Sequence, residues 1–308
     1  TEIYTLSLHD ALPICVQKYL MGLLFSIFFS LAWAQDHPYR KGYEWYFQGK
    51  YAEALSLFEK GAGLPPYEYP SLLLAGRCCF QIGKYREALA WYERAQSLRK
   101  GDTTLFYHRA QAQHNLGEFE KAIEGFKEVL KVYPNNLFAN HWLGMSYQAK
   151  NENALALKQY EKAIALYPSF YPAYARAGAC LASSKKWTEA KAYLDKAIQL
   201  RPSFLDAYYD RSQVLLFLGN PKGCIEDLLF ITRENPSHGQ SWYLLGRLWK
   251  EEKRYQESLE AYEKAEPSLP EEQKKEIPLV KATLLYELGR YPQALSLQIG
   301  RASCRERV

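Results

Sequence analysis

The chain has 308 residues, 48% apolar and 24% charged, with 39 basic against 34 acidic side chains and a formal net charge of +5. These are ordinary values for a folded chain and exclude the disordered and low-complexity classes. Lys and Glu alternate in pairs such as Glu161-Lys162 and Glu263-Lys264, so the small positive excess reads as a solvated mixed face, and nucleic acid is not the expected partner.

Residues 1–14, TEIYTLSLHDALPI, resemble an in-frame translation of a DNA-sequencing adapter, and residues 299–308, IGRASCRERV, resemble the matching adapter read from the other side. A genuine tail at each end is the alternative, but it leaves two adapter-like ends to coincidence. Both segments are set aside before fold reasoning, so His9, Cys304, Arg301, Arg305 and Arg307 carry no functional meaning. The natural chain is then expected to have been cut within its last repeat.

Residues 15–34 read as an export signal. The run LMGLLFSIFFSLAWA over residues 20–34 is shorter than the roughly 20 residues that span a bilayer. It ends in Ala32-Trp33-Ala34, a small-x-small cleavage pattern that makes Gln35 the first mature residue. Lys18 supplies the positive flank if translation starts upstream of Met21, at Val16 for instance. An uncleaved anchor is the other reading. With cleavage, no stable membrane insertion is expected and the product is periplasmic or extracellular.

Residues 69–272 divide into six consecutive blocks of 34 residues. The eighth place holds Gly76, Ala110, Gly144, Gly178, Ser212 and Gly246. The twentieth holds Ala88, Ala122, Ala156, Ala190, Cys224 and Ser258, and the twenty-fourth Tyr92, Phe126, Tyr160, Leu194, Leu228 and Tyr262. Five blocks carry proline at place thirty-two, from Pro134 to Pro270. A fixed period with this small, small, large, proline order is the signature of stacked helical hairpins. Helix A is predicted over places 3–14 and helix B over places 17–30, with pairs beginning near residues 37, 71, 105, 139, 173, 207, 241 and 277. Glycine between them (Gly49, Gly83, Gly117, Gly219, Gly289) suits a left-handed helix C-terminus.

Residue size has a stated purpose in this pattern. Small residues at places eight and twenty let the two helices of a repeat approach closely. The large residue at twenty-four is expected to pack against helix A of the next repeat, and proline ends helix B. Asn151, Glu152 and Asn153 replace the glycine and aromatic of one turn, and Pro221 the aromatic of another, so these two turns are expected to pack less well. Cys180 and Cys224 sit at small-residue places, while Cys78 and Cys79 are adjacent on one helix; buried free thiols are the favoured state.

The order Ala110, Gly117, Phe119, Ala122, Phe126, Pro134 resembles the tetratricopeptide repeat, a helix–turn–helix unit of the same period. The likeness extends to a first repeat through Gly42, Gly49, Tyr51, Ala54, Phe58, Gly61 and Pro66, and to an eighth through Ala282, Gly289, Tyr291 and Ala294. The array is thus read over residues 35–298, as repeats at 35–68, 69–102, 103–136, 137–170, 171–204, 205–238 and 239–272 and a partial one at 275–298. The resemblance implies an all-α fold, a right-handed superhelical solenoid whose concave groove is lined by helix A.

The places that line the groove in that family hold Tyr39, Tyr43, Tyr46 and Phe47 in the first repeat. Arg77, Phe80 and Gln81 follow in the second, and Tyr107, Gln111, His114 and Asn115 in the third. The fourth gives Phe138, His141, Met145 and Gln148; the fifth, with Ala175, Ala179 and Ala182, is nearly featureless. Tyr209, Gln213, Tyr243, Arg247 and Lys250 continue the series. Tyr and Arg are favoured at binding hot spots, so the first four repeats are the expected binding half, the alternative being that these side chains merely cover neighbouring helices. Tyr39 and Tyr43 stand where the family's carboxylate clamp has Lys and Asn, so that clamp is not expected.

No nucleophile–base pair, phosphate-cradling glycine loop or zinc spacing is present in the sequence. His108, His114 and His141 are near one another in sequence but do not share a helix face. No catalytic residue, metal or cofactor is therefore expected. The leading reading is a non-catalytic exported scaffold that binds a protein or peptide segment. Its rival is the recruiting or regulatory portion of a larger enzyme continuing beyond Gln298.

Overall fold

Size alternation along the chain becomes helix pairing in the computed structural model, which describes residues 38–297. The adapter-like segments and the segment read as an export signal lie outside the described residues. The chain divides into two units, the first ending at Pro134 and the second beginning at Asn135. Among the described residues every regular element is helical.

The first unit holds three antiparallel hairpins. They are α1 (Pro38–Phe47) with α2 (Tyr51–Gly61), α3 (Glu68–Ile82) with α4 (Tyr85–Leu98), and α5 (Thr103–Asn115) with α6 (Phe119–Val132). The second unit continues with α7 (Leu137–Ala149), α8 (Asn153–Leu166), α9 (Tyr171–Ser183) and α10 (Trp187–Leu200). After these come α11 (Leu205–Phe217), α12 (Pro221–Glu234), α13 (Gly239–Glu251) and α14 (Tyr255–Ala265). A 3₁₀ turn (Glu266–Ser268) and a one-turn helix α15 (Glu271–Lys274) interrupt the series before α16 (Ile277–Glu287), and residues 291–297 are again helical. The two residues that separate the repeats read at 239–272 and 275–298 fall within this irregular stretch.

Five of the helix-B spans coincide with places 17–30, whereas helix A generally starts two residues earlier than the sequence suggests. In three of these helices the residue before the first turn supplies the reason. Asp102 accepts a hydrogen bond from the Thr104 amide at 2.8 Å, and Asn136 one from Ala139 at 2.9 Å. His238 Nδ1 accepts from Ser241 at 3.2 Å. These side chains satisfy amides that a helix start leaves unpaired.

The large residue at place twenty-four packs against its own helix A as well as against the next one. A Cβ built on Gly76 would lie 2.3 Å from the Tyr92 ring, and one on Gly144 2.6 Å from Tyr160. Gly246 meets Tyr262 in the same way, at 2.9 Å. Tyr92, Phe126, Tyr160, Leu194 and Leu228 are wholly buried. Place twenty closes the same contact, since the Ser258 hydroxyl donates to the Gly246 carbonyl at 2.7 Å. The expected contact with the following repeat is also made: Tyr92 shares a core cluster with Leu105 and Ala112 and stacks on His108 with centroids 6.1 Å apart, Leu194 clusters with Ala207 and Val214, and Leu228 with Leu244 and Leu245.

The two atypical turns are built like the others. Asn151 has φ 61° and takes the left-handed role that Gly117 fills at φ 80°. Its amide donates to Gln148 at 2.9 Å and that of Glu152 to Tyr147 at 2.9 Å, the pair of bonds that also closes the Gly117 turn. Lys185 and Lys253 adopt the same conformation at φ 60° and 62°. Pro221 opens α12, where Asn220 accepts from the Gly223 amide at 3.0 Å.

Candidate functional site

Helix α1 places Tyr39, Tyr43 and Phe47 four residues apart, on one face. Their rings touch in sequence: Tyr39 to Tyr43 at 5.9 Å and Tyr43 to Phe47 at 4.7 Å between centroids. Tyr39 is wedged between Phe58 (5.9 Å) and Tyr67, on which it stacks at 4.7 Å and 3°. Tyr43 is 43% exposed and Phe47 70% exposed. Tyr46 differs from its expected groove role. It is only 9% exposed and packs in a core cluster with Ala54, Phe58 and Cys78, so most of its ring is structural. The Arg77 guanidinium covers that ring at 5.0 Å.

Further along the first unit, Phe80 meets Tyr85 edge-on at 5.3 Å. On α5, Tyr107 meets Phe126 at 5.9 Å, and its hydroxyl accepts from Gln111 Nε2 at 3.1 Å. Gln111 Oε1 lies 3.1 Å from His108 Nδ1, and the exposed Asn115 donates to the Gln111 carbonyl at 2.9 Å. His114 packs against Phe119 at 5.4 Å. The structure thus brings Tyr107, Gln111 and Asn115 into one row along α5, held by one another and by Phe126.

His141 belongs to the second unit, half-buried between Tyr160 (5.5 Å) and Phe170 (5.1 Å), with Nδ1 buried and without a hydrogen-bond partner. Burial, then the Arg176 charge, push it down to about 4. Burial and the Arg77 charge likewise push His108 to about 4, partly opposed by its bond to Gln111. Both imidazoles are neutral at pH 7. All four described cysteines are free and buried, and burial raises Cys78 to about 12 and Cys79 to about 11, which makes them poor nucleophiles. Among the described residues no group of three or more His, Cys, Asp or Glu is placed to hold a metal ion, and no helix is long and apolar enough to cross a membrane.

The second unit carries two features that reading by groove place missed. Arg176 lies at place six, outside the places considered, yet its charge reaches His141, Tyr160, Cys180 and Asp210. The fifth repeat is therefore not featureless. Asp210, at place six of the next repeat, is raised to about 6 by burial against the opposing pull of Arg176. Beyond them a cavity of about 480 Å³ opens between α11 and α13. Tyr209 and Gln213 line one wall and Tyr243 and Arg247 the other, all four at places the sequence had singled out.

Comparison with known proteins follows from this architecture. Residues 39–103, 143–203 and 209–272 match one tetratricopeptide repeat profile, and residues 104–136 match a second. No curated protein matches the chain. Among solved structures, a tetratricopeptide repeat protein from Parabacteroides merdae is 20% identical with a TM-score of 0.64, covering 80% of this chain and 98% of that one. PilF of Pseudomonas aeruginosa is 20% identical with a TM-score of 0.58, covering 64% and 89%. The Cut9–Hcn1 hetero-tetramer of APC/C is 12% identical with a TM-score of 0.66, covering 81% of this chain and 48% of that one. At these identities the structures speak for the fold alone, while the profiles span most of the sequence. The chain belongs to the tetratricopeptide repeat family, a framework of stacked helical hairpins that mediates protein–protein contact.

Proposed function

We propose that the array is an exported scaffold that holds a protein segment against the helix-A face of its first unit. The observation that carries this reading is the row Tyr39, Tyr43, Phe47, whose rings are in mutual contact yet increasingly exposed toward the end of α1. Rigid, amphipathic rings left on a surface favour binding at low entropic cost. The Tyr107–Gln111–Asn115 row adds amide donors and acceptors already fixed in position. With Tyr39 and Tyr43 in place of a carboxylate clamp, the segment held is an internal stretch of its protein and not a free C-terminus. Mixed surface charge argues for a protein partner over nucleic acid.

The test is a quantitative pull-down from native extract with the wild-type array and a Tyr43→Ala, Arg77→Ala, Tyr107→Ala variant of unchanged helicity. Truncating a central anchor typically costs 1 kcal/mol or more, so the variant should recover its partners at least about fivefold less well. Equal recovery would overturn the assignment. Export is checked by N-terminal sequencing of a tagged natural chain, which should begin at Gln35 outside the cytosol; a full-length cytosolic product would contradict it.

A further inference from the structure

The cavity between α11 and α13 differs from the rest of the second unit because an irregular segment closes its end. Gln240 Nε2 donates to Gln273 Oε1 at 2.9 Å, and the Tyr243 hydroxyl donates to Glu276 at 3.4 Å. The stretch from Glu266 to Glu276, which breaks the 34-residue period, is thereby pinned to α13 and contributes Gln273 to the lining. Leu216 and the buried Leu244 supply apolar floor. Phe217 is 66% exposed, yet it is held flat against Trp187 with centroids 4.1 Å apart and planes 5° apart. The rim is thus a fixed aromatic ring.

The polar chemistry of the cavity is one-sided. Arg247 is its only charged lining residue and makes no ion pair among the described residues. Around it stand three carboxamides, Gln213, Gln240 and Gln273, and two phenols. Glu276 lies outside the lining and is already engaged by Tyr243. A guanidinium fork matches a carboxylate bidentately, and flanking amides can satisfy its remaining lone pairs. A cavity of about 480 Å³ is of ligand-binding size and has apolar surface left over beside the cation.

We infer that this cavity is a recognition pocket for an acidic side chain adjacent to an apolar one on an incoming peptide, with Arg247 pairing the carboxylate and Leu216, Leu244 and Phe217 receiving the apolar neighbour. The pocket lies in the second unit and does not depend on the face proposed for the first. Its selectivity comes from the period-breaking segment, without which Gln240 and Tyr243 lose their partners and the end wall is absent.

A displayed library of random nine-residue peptides, selected on the whole chain, tests this directly. Recovered peptides should be enriched in Glu or Asp next to Leu, Ile or Phe. A recovered peptide should bind about tenfold more weakly when its acid is changed to the matching amide, and equally weakly to an Arg247→Gln chain. That substitution is on an exposed helical position, and unchanged helicity and melting temperature verify the fold. A Tyr43→Ala, Tyr107→Ala chain should bind the same peptides as well as the wild type does. Peptides without acidic enrichment, binding indifferent to Arg247→Gln, or no selectable peptide at all would each overturn the pocket. Loss only in the Tyr43→Ala, Tyr107→Ala chain would overturn it while leaving the first-unit reading standing.

Discussion

Gly144 shows how little room single residues have in this array. A Cβ there would lie 2.6 Å from a fully buried tyrosine ring, closer than real Cβ contacts come. Overpacking of this kind costs about 1–3 kcal/mol, so Gly144→Leu should lower the urea midpoint with the m-value unchanged. An unaltered midpoint would mean the helix-A to helix-B contact is misplaced. The histidines give a second prediction. His108 and His141 are held neutral in the fold near 4, below the ordinary 6.5. Their stabilising contribution is complete above pH 6.5 and is lost as pH falls toward 4. Asp210, raised to about 6, has the opposite sign: its contribution is present at low pH and is lost as pH rises through 6. Replacing both histidines with Gln should therefore flatten the loss of stability between pH 6.5 and 4, and an unchanged slope would contradict the assignment. Residue sizes at places eight, twenty and twenty-four were legible in the sequence because packing leaves few alternatives. The burial of Tyr46 was not, because facing is set by the tilt of α1 against Ala54 and Phe58, which spacing alone does not contain. Arg176 was missed because place six was not counted among the groove places.

At the scale of the element, the turn between the two helices of a repeat has one conformation throughout, whatever residue occupies it. Among the described residues five of these turns carry a glycine with positive φ, and Asn151, Lys185 and Lys253 adopt it without being glycine. For an ordinary L residue that conformation costs on the order of 1–2 kcal/mol, and Asn tolerates it better than Lys. Lys185→Gly and Lys253→Gly should each stabilise the chain by about 1 kcal/mol, with a smaller gain for Asn151→Gly, read as shifts of the chemical-denaturation midpoint. Stability unchanged or lowered at both lysines would show that their side chains make compensating contacts. Five of the helix-B spans were legible to the residue, since small, large and small residues share one face of each. Helix-A starts were not, because Asp102, Asn136 and His238 act as caps from positions that the apolar pattern does not mark.

At the scale of the molecule, no hairpin buries its apolar face alone, so stability is shared between each repeat and its neighbours. That requirement made the repeat readable from a single sequence and fixes the architecture well before any partner is known. Function is harder to read because exposed rings at groove places are chemically the same whether they bind or merely cover a helix; Tyr43 and Tyr46, both tyrosines on α1, fall on opposite sides of that division. The central claim, that the first unit uses its helix-A face to hold a protein segment, is tested most directly by site-specific photo-crosslinking. A photoreactive amino acid placed at Tyr43 or Asn115 should capture the partner. The same group at Glu93 or Glu124, exposed positions on the B helices of the second and third repeats, should not. Capture confined to Glu93 and Glu124 would contradict the account and move the binding surface to the opposite helices.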